Sequence, residues 1–206
     1  MNSLKVLGAV GLAVSAVSMA GCVPDWAREN ETGIIMEIAG INGGSGDGPI
    51  RSDVLPDAND DASVRVNIYR KNPTVTSTSA LEHVRLESYA VRYFRTDGHS
   101  IEGVDVPHRI TGPLNSIRLH TPTETGEVEV TAIITIVRQQ AKHESPLAQL
   151  VGVRPAITGA LIVPGQGLIT TVAEVTVYAR QVTTGEPLSA TGTVQVTFGD
   201  FANGAQ

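Results

Sequence analysis

Two groups of charged side chains have the residue types and spacing for metal or proton chemistry. The first is a set of four aspartates in one polar stretch: Asp53, Asp57, Asp60 and Asp61. Calcium binds about six to eight oxygen ligands, and clustered carboxylates can supply them. The order of these residues differs from that of an EF-hand loop, which also requires a distal glutamate. The stretch therefore predicts either a calcium site or an acidic, solvated loop.

The second group falls within one predicted inter-strand loop and consists of Asp97, His99, Asp105 and His108. Histidine and aspartate bind zinc, and both residue types transfer protons. None of the five histidines is paired with another at a ligand spacing within one element. Turn-forming aspartates and solvated histidines are the competing interpretation of this loop.

A set of aromatic side chains is the third candidate for binding, and it consists of Tyr69, Tyr89, Tyr93 and Tyr178, with Phe94 beside them in sequence. If they share one sheet face, they form an aromatic strip of the kind that binds glycans or peptides. Tyrosines also fill the cores and cross-strand pairs of β proteins, so packing explains them equally.

Known catalytic motifs are missing from the sequence. It contains no Gly-x-Ser-x-Gly elbow, phosphate loop, dinucleotide fingerprint or His-Glu-x-x-His stretch. The glycine-rich run from Gly40 to Gly48 has no lysine at the phosphate-loop spacing, which favours a flexible linker. We therefore expect a protein that is not an enzyme and that has no dissociable cofactor.

The charge balance disfavours nucleic acid as a partner. The chain carries 15 basic and 21 acidic residues, for a net charge of -6. Nucleic-acid binding relies on a basic surface, and no polybasic run is present.

Strands must position these groups, because the better-patterned segments alternate with a period of two. Val64, Val66 and Ile68 alternate with polar residues, and residues 128–136 repeat the pattern. Residues 173–180 and 188–198 form the clearest hairpin, with a turn at 184–187. Between Leu86 and Tyr89 the apolar parity switches, which predicts a β-bulge. The pattern gives about seven strands.

The start of the chain has a different character. Lys5 precedes a stretch of apolar or small residues from Val6 to Ala20, as in a secretory signal. Met19-Ala20-Gly21-Cys22 resembles the lipobox of bacterial lipoproteins, and Cys22 is the only cysteine. The resemblance implies cleavage before Cys22, with a diacylglycerol on its thiol and an acyl chain on its amine. Val23 then points towards the outer membrane as the destination.

A second resemblance concerns the fold. Tyr89-Ala-Val-Arg-Tyr93 and the C-terminal hairpin resemble strands of fibronectin type III and immunoglobulin-like modules over residues 62–201. Gly103–Pro107 and Ala190–Val194 are similar to segments of uncharacterised bacterial lipoproteins. These resemblances imply an all-β, antiparallel immunoglobulin-like sandwich. We expect a signal-peptide helix in residues 1–21, a tether with one possible strand in 22–61, the sandwich in 62–201 and a tail in 202–206.

Together these features predict a lipid-anchored envelope protein with a structural, assembly or recognition role. Its partners would be the membrane, through the anchor, and an envelope protein or glycan. The alternative is a protein that binds calcium, a glycan or a peptide, or that hydrolyses a substrate, with a site in loops 40–61 and 96–112.

Overall fold

The computed structural model describes residues 33–43, 48–71, 83–114, 119–120, 127–151 and 167–201. Nine strands make up most of these ranges: β1 (Ile34–Gly43), β2 (Ile50–Asp53), β3 (Asp60–Arg70), β4 (Val84–Phe94), β5 (Ile110–Pro113), β6 (Leu119–His120), β7 (Glu127–Val137), β8 (Leu168–Gln181) and β9 (Pro187–Gly199). A short helix, α1 (Gln139–Lys142), and a 3-10 turn, Leu147–Leu150, complete the described elements. The all-β prediction is confirmed.

The smaller sheet has three antiparallel strands in the order β1-β3-β7. Its central strand, β3, buries Val64, Val66 and Ile68 completely. The residues between them, such as Arg65 and Asn67, lie on the opposite face and are partly exposed. This alternation arises because successive side chains of a strand point to opposite faces of the sheet.

The larger sheet has six strands in the order β2-β9-β8-β4-β5, with β6 also paired to β4. The predicted C-terminal hairpin, β8-β9, lies inside this sheet and is antiparallel along its whole length. Gly185 adopts a φ of 75° in the connecting turn, a conformation that glycine takes at no steric cost. The short edge strand β2 pairs with β9 in parallel.

The predicted bulge in β4 is present. The register between β4 and β8 shifts between Leu86 and Ser88, so the inward-facing positions change parity there. Leu86 is buried before the shift, and Tyr89, Val91 and Tyr93 are buried after it. The extra residue is what exchanges the two faces of the strand.

The inner faces of the two sheets share one hydrophobic core. Tyr93 of β4 donates its hydroxyl proton to the Ile136 carbonyl of β7, and the Thr135 N–H donates to the Tyr89 hydroxyl at 3.2 Å. Gly192 of β9 lies under Ile38 of β1, where a Cβ atom would meet the isoleucine at 2.9 Å. These contacts join the two sheets directly.

The segment predicted to be a tether and loop contributes two strands to the sheets. β1 extends to Gly43, and β2 forms at residues 50–53 inside the stretch expected to be weakly structured. Ile50 and Ser52 point inward and are buried, and Val54 continues into the core. A four-residue strand with an inward serine has too little apolar alternation to be recognised from sequence.

Two short elements lie outside the main strands of the sheets. A single 3-10 turn forms at Leu147–Leu150. Leu119–His120 pairs with the start of β4, and residues 115–118 lie outside the described ranges. None of the helices in the described ranges has the length and apolarity needed to cross a membrane.

Candidate functional site

Three connections meet at one end of the sheets, which we call the loop end. There β3 begins at Asp60, opposite Val137 at the end of β7. β4 ends there at Phe94, opposite Val172 near the start of β8. The connections that leave the sheets at this end are residues 54–59, 95–109 and 138–150.

A buried lysine fixes the third of these connections to the sheets. The side chain of Lys142 in α1 is 0% exposed, and its Nζ lies 2.8 Å from Asp60 Oδ1. The other carboxylate oxygen, Oδ2, accepts a 2.5 Å hydrogen bond from the hydroxyl of buried Ser52. A buried ammonium group requires such a partner, because it has lost its hydration. The pair therefore holds α1 against β2 and β3.

A second set of contacts ties residues 54–59 to the same helix. The Asp57 carboxylate accepts hydrogen bonds from His143 Nε2 at 2.9 Å and Gln139 Nε2 at 2.5 Å. Asn59 Oδ1 accepts a bond from the Gln139 backbone N–H at 2.8 Å. The hydrogen bond from His143 lowers the pKa of Asp57, and the bond from Gln139 lowers it further.

The four aspartates considered for calcium are held separately by different donors. Asp60 binds Lys142 and Ser52, and Asp57 binds His143 and Gln139. Asp61 accepts a bond from the Thr135 hydroxyl, and Asp53 accepts one from the Leu55 backbone N–H. Across the ranges that the structure describes, no three His, Cys, Asp or Glu residues are grouped to hold a metal ion.

The Asp and His residues of the 96–112 loop are likewise dispersed. Asp97 binds Arg95 Nη2 at 2.5 Å and the His99 backbone N–H at 3.1 Å. The Arg95 guanidinium is the main cause of the lowered pKa of Asp97. Asp105 accepts a bond from the Ile101 N–H instead, and His108 faces Glu102 at 4.0 Å.

This loop is an ordered turn. The Ile101 carbonyl accepts hydrogen bonds from the backbone N–H groups of Val104 and Asp105, at 3.1 and 2.8 Å. Gly103 has a φ of 77°, and a Cβ atom there would lie 2.6 Å from His108 Nε2. The positive φ favours glycine at this position, and the His108 ring packs closely against it.

A cleft of about 250 Å³ lies between the end of this loop and the α1 connection. Residues 108–110 line one side, and Arg138, Gln140, Ala141 and Glu144 line the other. Arg138 Nη2 donates to the Thr111 carbonyl at 2.9 Å, which joins the two sides. Arg109 Nε lies 3.3 Å from Glu102 Oε1, and Gln140 donates to Glu144 at 2.7 Å. Two arginines, a glutamine and one glutamate thus line one concave surface.

The tyrosines considered as a binding strip do not share a face. Tyr89 and Tyr93 are buried between the sheets, and burial raises the pKa of Tyr93 well above its ordinary value. Tyr69 lies on the outer face of the smaller sheet, where it donates to Glu37. Tyr178 is 44% exposed on the outer face of the larger sheet. The bulge in β4 turns Tyr89 and Tyr93 inward, while Tyr178 has the outward parity of β8.

Sequence analysis did not identify four of the residues that meet at the loop end. Lys142, Arg138, Gln140 and Glu144 occupy a short polar segment with neither strand nor helix periodicity, so the sequence carries no signal for them. The other half of the cleft, residues 108–110, falls inside the 96–112 loop that was predicted as a candidate site. Cys22, the predicted acylation site, lies outside the described residues.

Comparison with known proteins assigns no family to this arrangement. No protein-family model matches the chain, and no curated protein is significantly similar to it.

Proposed function

We propose that this chain is a lipid-anchored protein of the cell envelope whose β-domain has a structural, assembly or recognition role. The observation that carries the proposal is the lipobox-like segment Met19-Ala20-Gly21-Cys22, placed directly after an apolar stretch. Several acyl chains on one residue exceed what stable anchoring requires, since a single chain binds a membrane only weakly. Val23, the residue directly after the cysteine, favours the outer membrane as the destination of the protein.

We further propose that the domain is an immunoglobulin-like β-sandwich. The sheet orders β1-β3-β7 and β9-β8-β4 parallel the A-B-E and G-F-C arrangements of that fold. β5 lies beside β4, where variable-type domains add strand C′. The common core of the two sheets and the tyrosine contacts between them also support a sandwich.

The point at which β1 begins supports a recognition role for the loop end. β1 starts where β3 ends, and the Gly33 carbonyl accepts a bond from the Lys71 N–H there. β3 is 11 residues long, so this entry point lies about 35 Å from the loop end. An anchor at Cys22 would therefore join the domain at the end opposite the cleft, and the loop end would be left accessible to partners.

The proposal that the protein is not an enzyme rests on the lack of catalytic motifs in the sequence. Ligand binding is the second candidate function, and the cleft between residues 108–110 and α1 favours it. That possibility concerns what the domain recognises, and it does not alter the proposed anchor.

Intact-mass measurement of the detergent-extracted full chain, expressed in a lipoprotein-processing bacterium, tests the anchor. We expect a mature chain that begins at Cys22 and carries the mass of its acyl chains. The Cys22→Ala variant should lose both the added mass and the cleavage before position 22. An unmodified chain cut at another position, or an uncut leader, would contradict the proposal.

A further inference from the structure

We propose that the cleft between residues 108–110 and α1 is a binding site for a small ligand that carries a carboxylate or phosphate group. This inference deepens the recognition role proposed above by naming its ligand class. It does not depend on acylation of Cys22, because all the residues involved belong to the folded domain.

The lining of the cleft is less acidic than the chain as a whole. The whole chain has a net charge of -6. The cleft is lined by two arginines and one acidic residue, Glu144, and Glu102 contacts Arg109 beside it. An anion is therefore repelled less at this place than over the acidic surface as a whole, and Arg138 supplies a positive charge that attracts it.

Arg138 is the residue best placed to bind the anion. Its hydrogen bond within the described residues goes to the neutral carbonyl of Thr111, and no carboxylate of those residues lies within 4.0 Å of its guanidinium. A guanidinium has five N–H donors in a planar fork that matches a carboxylate or phosphate. Most of its donors, and its full charge, therefore remain available for a ligand.

Arg109 and Gln140 provide further donors on the two sides of the cleft. Arg109 contacts Glu102 at 3.3 Å from the edge of its guanidinium, which leaves other N–H groups available. Gln140 donates one amide proton to Glu144 at 2.7 Å and retains a second. Both acidic neighbours are already engaged with these side chains, so their oxygens do not compete directly for Arg138.

The backbone on both sides of the cleft is held by contacts within the domain. Arg138 follows the last residue of β7, and the Lys142–Asp60 pair holds α1 in place. On the other side, the His108 ring packs against Gly103 in the hydrogen-bonded turn. A backbone held in this way loses less conformational entropy when a ligand binds.

The size of the cleft limits the ligand. A volume of about 250 Å³ is smaller than a typical pocket for drug-sized molecules. Ile110 and Ala141 provide an apolar surface beside the donors. The cleft therefore fits one acidic unit with a short apolar part, such as the C-terminal residue of a peptide, an acidic sugar or a phosphate group.

Isothermal titration of the detergent-purified full chain tests the inference with three probes: N-acetylalanine, glucuronate and inorganic phosphate. Ionic strength is kept constant with chloride, and the amide of N-acetylalanine and glucose serve as uncharged analogues. We expect saturable binding of at least one anion, and the uncharged analogues of N-acetylalanine and glucuronate should not bind. The anion that binds most tightly distinguishes a peptide, a glycan and a phosphate source.

Two variants and a matched control locate the binding. Arg138→Gln should weaken it at least about tenfold, as expected for the loss of a charge-assisted hydrogen bond. Arg109→Gln should also weaken anion binding. If Arg138→Gln does not fold, the Arg109→Gln variant alone tests whether the anion binds in the cleft. Arg92→Gln, which removes an exposed arginine on the outer face of the larger sheet, should bind normally. The inference is overturned if none of the three anions binds, or if both cleft variants bind as tightly as the unaltered protein.

Discussion

At the scale of single residues, Lys142 has the most demanding environment in the described chain. Its ammonium group is fully buried and lies 2.8 Å from Asp60, which is 82 residues away in sequence. Removing one member of such a pair leaves the other charge without its counterion in a partly dehydrated site. The pair therefore makes the position of α1 dependent on the strand that begins at Asp60.

We predict that Lys142→Met lowers the free energy of unfolding by about 3 kcal/mol. This value is at the lower end of the range for breaking a buried pair, because the Asp60 side chain is 27% exposed. Adding Asp60→Asn should recover part of this loss, since the amide carries no charge. Urea unfolding monitored by circular dichroism measures both effects. Arg92→Met, at an exposed position, is the control, and an equal loss in that variant would refute the prediction.

The Asp57–His143 contact predicts how stability depends on pH. The hydrogen bond from His143 lowers the pKa of Asp57 below 3.8, so the folded state binds this proton more weakly than the unfolded state. The resulting stabilisation is fully present above the unfolded pKa and is lost as pH falls through the lower, folded pKa.

Urea unfolding between about pH 5 and pH 2 tests this linkage. The unaltered protein should lose stability on acidification, and Asp57→Asn should lose less of it. His143→Ala should lie between the two, because the bond from Gln139 still lowers the pKa of Asp57 in that variant. Identical pH profiles for the three proteins would show that this contact does not contribute.

At the scale of elements, two tyrosine hydroxyls connect β4 to β7. Tyr93 donates to the Ile136 carbonyl, and Tyr89 accepts from the Thr135 N–H. These bonds satisfy a backbone N–H and a carbonyl group of β7 with side chains from the other sheet. β4 and β7 lead into the two sides of the cleft. The 95–109 loop follows β4, and Arg138 follows β7.

We predict that Tyr93→Phe lowers the free energy of unfolding by about 1–3 kcal/mol, because it leaves the buried Ile136 carbonyl without its donor. Tyr178→Phe is the matched control, since it removes the same hydroxyl from a side chain exposed on the outer face of the larger sheet. Chemical unfolding of the two variants side by side measures the difference. Equal stabilities would mean that the Tyr93 bond adds nothing to the packing of its ring.

At the scale of the whole molecule, the start of β1 and the cleft lie at opposite ends of the domain. If Cys22 is acylated as proposed, residues 23–33 can hold the start of β1 at most about 40 Å from the membrane when they are fully extended. The loop end lies about 35 Å further along the strands. With the strands pointing away from the membrane, a ligand in solution would reach the cleft.

We predict that a fluorophore at His99 in the loop end is quenched less by a lipid-phase quencher than one at Thr183 in the β8-β9 turn. Each label is attached to a single introduced cysteine in the acylated protein, reconstituted in vesicles. The same labels on a chain that begins at Val23, which carries neither the leader nor acyl chains, should show little quenching at either position. Stronger quenching at His99 than at Thr183 would mean that the loop end faces the membrane.

Much of the strand pattern could be predicted from sequence, because a period of two is a local property. The alternation in β3, the bulge in β4 and the β8-β9 hairpin are all present where the pattern placed them. β2 was not predicted, because its inward positions include Ser52 and its partner, β9, is distant in sequence. Local periodicity shows which residues share a face, but it does not show which strands are neighbours.

The sequence by itself determined the all-β class, the positions of the longest strands and the candidate acylation site at Cys22. Only the tertiary structure decided that Tyr89 and Tyr93 lie in the core, that Lys142 is buried and that Arg138 joins residues 108–110 in a cleft. The physical reason is that strand patterns depend on neighbours along the chain. Burial of a charge and the assembly of a cleft depend instead on residues brought together by the packing of distant elements.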